Sequence, residues 1–120
     1  MHGDVMRKFV RATLGIAQGE VALFSDFQDG GSMWTGDGPR ERRHSVAFDE
    51  PFQDAPIVQL GLVLWDVHHG ANLRTHTLAE NVRPDGFDIV FRTWGDTRIA
   101  RAVIGWTAFG TAVHDDDWTL

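Results

Sequence analysis

The stretch that decides the fold runs from Val46-Ala-Phe48 through Ile57-Val-Gln-Leu-Gly-Leu-Val-Leu-Trp-Asp-Val67 and Phe87-Asp-Ile-Val-Phe-Arg-Thr93 to Ile99-Ala-Arg-Ala-Val-Ile-Gly-Trp-Thr-Ala-Phe109. Apolar and polar residues alternate here with the period of two that marks strands. Ile57 to Val67 reads as the third strand of six. Its even positions Val58, Leu60, Leu62 and Leu64 are wholly apolar and are expected in the core. Its odd positions Ile57, Gln59, Val63 and Trp65 form a second, largely apolar face. A strand exposed on one side is normally polar there, so that face is expected to be buried against another subunit.

Outward from this centre, Gly15 to Phe24 reads as a first strand, with Val21 and Leu23 on one face. Arg43 to Asp49 reads as the second, with Val46 and Phe48 inward and Phe52 closing the core. Ala71 to Asn81 reads as the fourth strand, with Leu73 on one face and Arg74, His76 and Glu80 on the other. The tetrad Arg83-Pro-Asp-Gly86 is a turn, because Pro fixes φ and Gly accepts positive φ. Phe87 to Thr93 is the fifth strand, with Phe87, Ile89 and Phe91 inward. Asp88, Val90, Arg92 and, just past its end, Trp94 lie on its other face. Ile99 to Phe109 is the sixth. Between the first two strands, Asp26 to Pro39 is rich in Asp and Gly and reads as a long loop. Six short strands with turn signals between them predict an all-β, six-stranded antiparallel β-sandwich. It spans residues 15–110, flanked by an N-terminal arm (1–14) and an acidic C-terminal tail (111–120).

Composition narrows the function. One domain fits 120 residues, and the absence of Cys removes disulfides, thiolate metal sites and Cys nucleophiles. A net charge of −6 disfavours nucleic acid and anionic membranes. No apolar run has the length to span a bilayer, and Arg11 interrupts the apolar run that a cleaved signal peptide would need. Neither membrane insertion nor a cleaved signal is expected. The cluster Arg40, Arg42, Arg43, broken by Glu41, reads as a solvated turn or a subunit contact.

A sugar ring has an apolar face of C–H groups and a rim of hydroxyls. An aromatic ring covers the first, and carboxylate or guanidinium groups grip the second. Trp94 on the outer parity, Arg74 on the polar parity of its strand, and Asp37 at the tip of Gly36-Asp-Gly-Pro39 are residues of the right kind. Taken alone, each also has an ordinary structural reading, as lid, ion-pair partner and turn residue.

The segments Val46-Ala-Phe48, Pro56-Ile-Val-Gln-Leu60, Leu64-Trp-Asp66, Asn72-Leu-Arg74, Gly86-Phe87, Thr93-Trp-Gly-Asp-Thr97 and Gly105-Trp-Thr-Ala108 together resemble the H-type lectin domain, over about Gly15 to Gly110. That resemblance implies a six-stranded sandwich assembled as a trimer, sometimes paired into a hexamer. It implies a non-enzymatic glycan-binding role, with N-acetylgalactosamine or a related galactoside held near a subunit boundary. The implied contacts are Asp37 with the adjoining Gly36, the Arg of Asn72-Leu-Arg74, and Trp94 with the adjoining Gly95, the Trp coming from the neighbouring subunit. Where animal members carry two further ring side chains, this chain has Gly95 and Ala100. Each lost contact costs about tenfold in affinity, which avidity of an oligomer can restore.

Other constellations carry less. His68, His69 and His76 are the most metal-like group. Adjacent strand residues point to opposite faces, so His68 and His69 are not expected to share an ion, whereas His68 and His76 could meet across a turn. Asp115-Asp-Asp117 offers the oxygen ligands of Ca²⁺ but lacks a Gly turn, and reads as a solvated tail. No metal or other cofactor is expected. Asp66, Glu80, Asp88 and Asp96 are glycosidase carboxylates by type alone, without an apolar pocket or partner to tune them. No nucleophile elbow, Walker loop or dinucleotide fingerprint is present. The rival to the lectin reading is a structural or host-recognition module of a phage-like particle or cell-surface assembly.

Overall fold

The computed structural model describes residues 6–9 and 12–113. Its strands are β1 (Leu14–Phe24), β2 (Arg40–Ala47), β3 (Ile57–Val67), β4 (Thr75–Arg83), β5 (Gly86–Thr93) and β6 (Ile99–Thr111). They form two three-stranded antiparallel sheets, ordered β1-β6-β3 and β2-β5-β4. The result is the expected β-sandwich. The segment expected as one long loop differs: it contains two single-turn helices, α1 (Asp26–Asp29) and α2 (Ser32–Thr35). Four residues are too few for helical periodicity to show in a sequence. β2 starts three residues earlier than its pattern suggested, because Arg40 and Glu41 pair with Thr93 and Arg92. β4 starts at Thr75, so Leu73 and Arg74 precede it.

The central strands carry the core. Phe87, Ile89 and Phe91 of β5 and Ala102 and Ala108 of β6 are fully buried, and Ile104 nearly so. Phe24 meets Phe91 edge to face at 5.5 Å, and Phe87 meets Trp106 in the same way, also at 5.5 Å. Phe48 packs on Phe52, 5.2 Å between centroids. Each such ring contributes about 2–3 kcal/mol by leaving water. Val90, on the outer parity of β5, is nonetheless fully buried. It sits beneath its cross-strand neighbours Arg43 and Leu78.

The expectation that all four even positions of β3 lie in the core is corrected. Val58 and Leu60 pack on it, but Leu62 is 43% and Leu64 37% exposed. For Leu64 the cause is a bulge at Val63, which Leu62 precedes. Leu62 pairs with inward Ile104, yet Trp65 pairs with inward Ala102 and Leu64 with outward Val103. Cross-strand partners share a face, so the inner set changes from even to odd along the strand. β3 is also an edge strand. The outer face of this sheet is therefore ruled in rows. Ile16–Phe109–Ile57 is apolar, Gln18–Thr107–Gln59 is polar, Glu20–Gly105–Gly61 adds a carboxylate, and Ala22–Val103–Leu64 is apolar again. Ile16, Val63 and Leu64 remain substantially exposed.

One buried carboxylate organises the helical turns. Asp26, 4% exposed, accepts the Met33 N–H at 2.8 Å and Arg42 Nη2 at 2.6 Å. A Cβ on Gly31 would fall 2.3 Å from its Cγ, so only glycine lets the two turns close around it. Asp26→Ala would leave the Met33 amide and the Arg42 guanidinium without their acceptor. It is expected to lower stability by about 2–3 kcal/mol in urea denaturation.

Candidate functional site

The site is built at the end of the sandwich where β5 leaves for β6. Two threonines there are buried, Thr93 at 1% and Thr97 at 0% exposure. Their hydroxyls donate to backbone carbonyls of the incoming segment, Thr93 to Arg74 and Thr97 to Asn72 at 2.6 Å. The Thr97 hydroxyl oxygen also accepts the Arg74 N–H at 2.9 Å. Thr93 and Thr97 thus peg Asn72-Leu-Arg74 against Thr93-Trp-Gly-Asp-Thr97. The spacing of the two threonines was visible in the sequence, but their role as pegs was not.

The Asp37 loop is drawn to the same place by Arg40. Its Nε donates to Gly38 O at 2.9 Å, Nη1 to Thr97 O at 2.7 Å, Ser32 O at 3.2 Å and Met33 O at 3.4 Å, and Nη2 to Gly95 O at 3.1 Å. Partial burial pushes its pKa down, opposed by the nearby Asp37 carboxylate. The Gly38 N–H donates to Gly95 O at 2.9 Å, and the Gly36 N–H to Ser32 O at 2.8 Å. The reading of the arginine cluster as a solvated turn or subunit contact is therefore corrected within the chain. Arg40 clamps three backbone segments, Arg42 holds Asp26, and Arg43 bridges Glu41 and Glu80. Charge-run rules see only neighbours in sequence, whereas these partners come from distant segments.

The segments that carry Gly36, Asp37, Arg74, Trp94 and Gly95 thus meet around the Gly95 turn, although the cavity at the indole is lined by neither Asp37 nor Arg74. Trp94 is 45% exposed. It opens a shallow cavity of about 300 Å³ with Pro39, Arg40, Glu41, His76 and Arg92. Glu41 lies there with its carboxyl held below the usual range, chiefly by the hydrogen bond from Arg92. Gly95 has a φ of 68°, and a Cβ there would lie 3.3 Å from Arg74 Nη1. A side chain at this position would be strained and would crowd the guanidinium. Within one chain Asp37 and Arg74 do not pair. Asp37 approaches Arg98 at 3.6 Å, while Arg74 Nη1 meets Asp96 Oδ1 at 3.1 Å. Asp37 is 72% exposed at its side chain, and its outer edge faces solvent.

Asp96 was read only as a possible glycosidase carboxylate. It instead braces the site: Asn72 N–H and Nδ2 reach its carboxylate at 3.4 Å. The Asn72 N–H is the main reason its carboxyl is held below the usual range. Asp66, Glu80 and Asp88 are likewise paired, with Arg101, Arg43 and Arg83 respectively. His68 and His69 do not point apart as strand neighbours would. β3 ends at Val67, and in the turn that follows their rings stack at 5.2 Å. Among the described residues no group of three His, Cys, Asp or Glu gathers as metal ligands. Asp115 to Asp117 lie outside the described residues. Among the described residues no helix is long and apolar enough to cross a membrane.

Comparison with known proteins gives this geometry a family. The profile of the H-type lectin domain matches residues 43–109. Discoidin II of Dictyostelium discoideum superposes with a TM-score of 0.72 at 27% identity, covering 82% of this chain and 37% of that one. In sequence, Discoidin-2 of the same organism is 33% identical over 69 residues, 57% of this chain and 27% of its own length. A protein of Fuscovulum blasticum described as ATP synthase subunits region ORF 7 is 54% identical over 109 residues, 91% of this chain and 95% of its own. The chain belongs to the H-type lectin domain family, and its fold is that of a carbohydrate-binding lectin. It spans little more than a third of discoidin II.

Arg40→Lys replaces a forked donor by a point charge that cannot reach three segments. It is expected to cost about 2 kcal/mol and to speed hydrogen exchange at the Gly38 amide. The Asp96 carboxylate, with its lowered pKa, contributes stability that is present above the ordinary carboxylate range and is lost as pH falls through the lowered value. The Asn72 amide resonance should therefore shift only in strongly acid solution, and Asp96→Asn should abolish that titration.

Proposed function

We propose that this protein is a non-enzymatic lectin that binds galactoside or N-acetylgalactosamine-type glycans at boundaries between identical subunits. The observation that carries this reading is that the segments bearing a half-exposed Trp94 indole, the Arg74 guanidinium and the outward Asp37 carboxylate are pegged and clamped together around the Gly95 turn. The indole of one subunit covers the apolar face of the ring. Asp37 and Arg74 of the next, flanked by Gly36 and Gly95, take the hydroxyls. Charge-assisted hydrogen bonds of this kind are roughly twice as strong as neutral ones. Gly95 leaves the guanidinium open on one side, which favours a shallow and tolerant site.

The assembly we propose is a trimer, or a hexamer made of two. The exposed apolar rows on the outer face of the β1-β6-β3 sheet support it, since exposed apolar surface is characteristic of subunit contacts. Weak single sites on such an assembly gain about 10²–10⁴ through avidity on a dense glycan surface.

Glycan-array binding of the purified protein, set beside Trp94→Ala and Asp37→Ala, with light scattering to give the assembly mass, is the test. Each variant should lose about tenfold or more in binding at an unchanged mass of three or six chains. Equal binding by all three proteins rejects the site, and a monomeric mass rejects its sharing between subunits.

A further inference from the structure

Beside the Asp37 loop lies a strip of four rings drawn from three parts of the chain. Phe27 of α1 meets Trp34 of α2 edge to face at 5.2 Å. Trp34 meets His68 at 5.6 Å, and His68 stacks on His69 at 5.2 Å with 7° between their planes. Phe27 is 60% exposed, both imidazoles are exposed and Trp34 is half-buried. These rings take no part in the sandwich core.

The strip is held in place by backbone bonds. Arg98 Nη1 donates to Trp34 O at 2.9 Å, and the His68 N–H donates to Arg98 O at 3.0 Å. The other terminal nitrogen of Arg98 reaches Asp37 Oδ1 at 3.6 Å. One guanidinium therefore spans from the strip to the carboxylate of the candidate site. Four rings ordered on the surface, outside the core and continuous with that carboxylate, form a ready-made apolar platform.

We propose that the Phe27–Trp34–His68–His69 strip is a second saccharide subsite, taking the sugar residue next to the one at Trp94, Asp37 and Arg74. The ligand class is then an oligosaccharide of two or more rings. This rests on the lectin reading above. The chemistry of the strip selects such a ligand. Its rings offer apolar area with few rotatable bonds, which lowers the entropy lost on binding. His68 Nδ1 accepts the Gly70 N–H at 2.9 Å, which places the imidazole proton on Nε2 as a donor for a hydroxyl. Arg98, which ties the strip to the site, is already engaged with Asp37, so it leaves the platform to a neutral ring over a charged one.

The test is calorimetry with paired probes: methyl glycosides of galactose and N-acetylgalactosamine, and disaccharides ending in the same residues. The wild-type protein should bind at least one disaccharide about tenfold more tightly than its methyl glycoside. Trp34→Ala and, separately, His68→Ala should bring that ratio to one while leaving methyl glycoside affinity and assembly mass unchanged. Trp34→Ala retains the carbonyl that Arg98 binds, and His68→Ala removes an exposed ring whose bond from the Gly70 N–H can pass to water, so both are expected to fold. A ratio of one in the wild type overturns the proposal, as does a ratio that survives both variants. A changed assembly mass also overturns it and assigns the strip to a subunit contact. Methyl glycoside binding that is lost in Trp94→Ala but shows no disaccharide advantage sinks the subsite alone. No binding of any probe by the wild type sinks both readings.

Discussion

The candidate site depends on how one guanidinium is satisfied. Arg40 places its donors on carbonyls of Gly38, Ser32, Met33, Thr97 and Gly95. A partly buried cation needs such partners, because an unpaired one is costly to hold away from water. Its planar fork satisfies them only if the Asp37 loop, the α2 turn and the turn after Trp94 sit together. The geometry of the surface follows from that requirement. Asp37 is brought to the edge of the Gly95 turn, and Arg74 is brought to its other side by the two threonine pegs. No single strand carries this site; it is assembled from the ends of several.

The core plays a different part. Phe87, Ile89 and Phe91 fix the inward parity of β5. Their period forces Asp88 and Arg92 outward and sends Trp94 past the strand end to the surface. The indole is exposed because the residues before it are buried. The same ring in the middle of the inner face would have been core.

How much of this could be read from the chain varies with the range of the interactions. The limits of β3 and the inward face of β5 follow from alternation, which is local, and both were legible. Leu64 on the even face of β3 was misread because a single bulge at Val63 shifts parity, and a period-two rule has no means of sensing an inserted residue. The stacking of His68 on His69 was missed for a related reason, since alternation no longer applies after Val67. Trp94, Arg74 and Asp37 could be selected through the family resemblance. Arg40 could not, because its meaning lies in carbonyls as far away as Thr97, 57 residues along the chain. The turns α1 and α2 were hidden in a segment whose Asp and Gly content resembles that of an irregular loop.

The ruled outer face of the β1-β6-β3 sheet has one more consequence. A uniformly oily surface would let copies slide over one another and settle in many orientations. Here the Gln18–Thr107–Gln59 band, with the Glu20–Gly105–Gly61 row beside it, separates the Ile16 row from the Ala22 row. In the assembly proposed above, amides and hydroxyls enclosed between subunits would have to find one another or remain unsatisfied. Only arrangements that lay band against band would meet that demand, so in such an assembly the polar band would act as a register mark, trading some adhesive strength for a unique geometry of association.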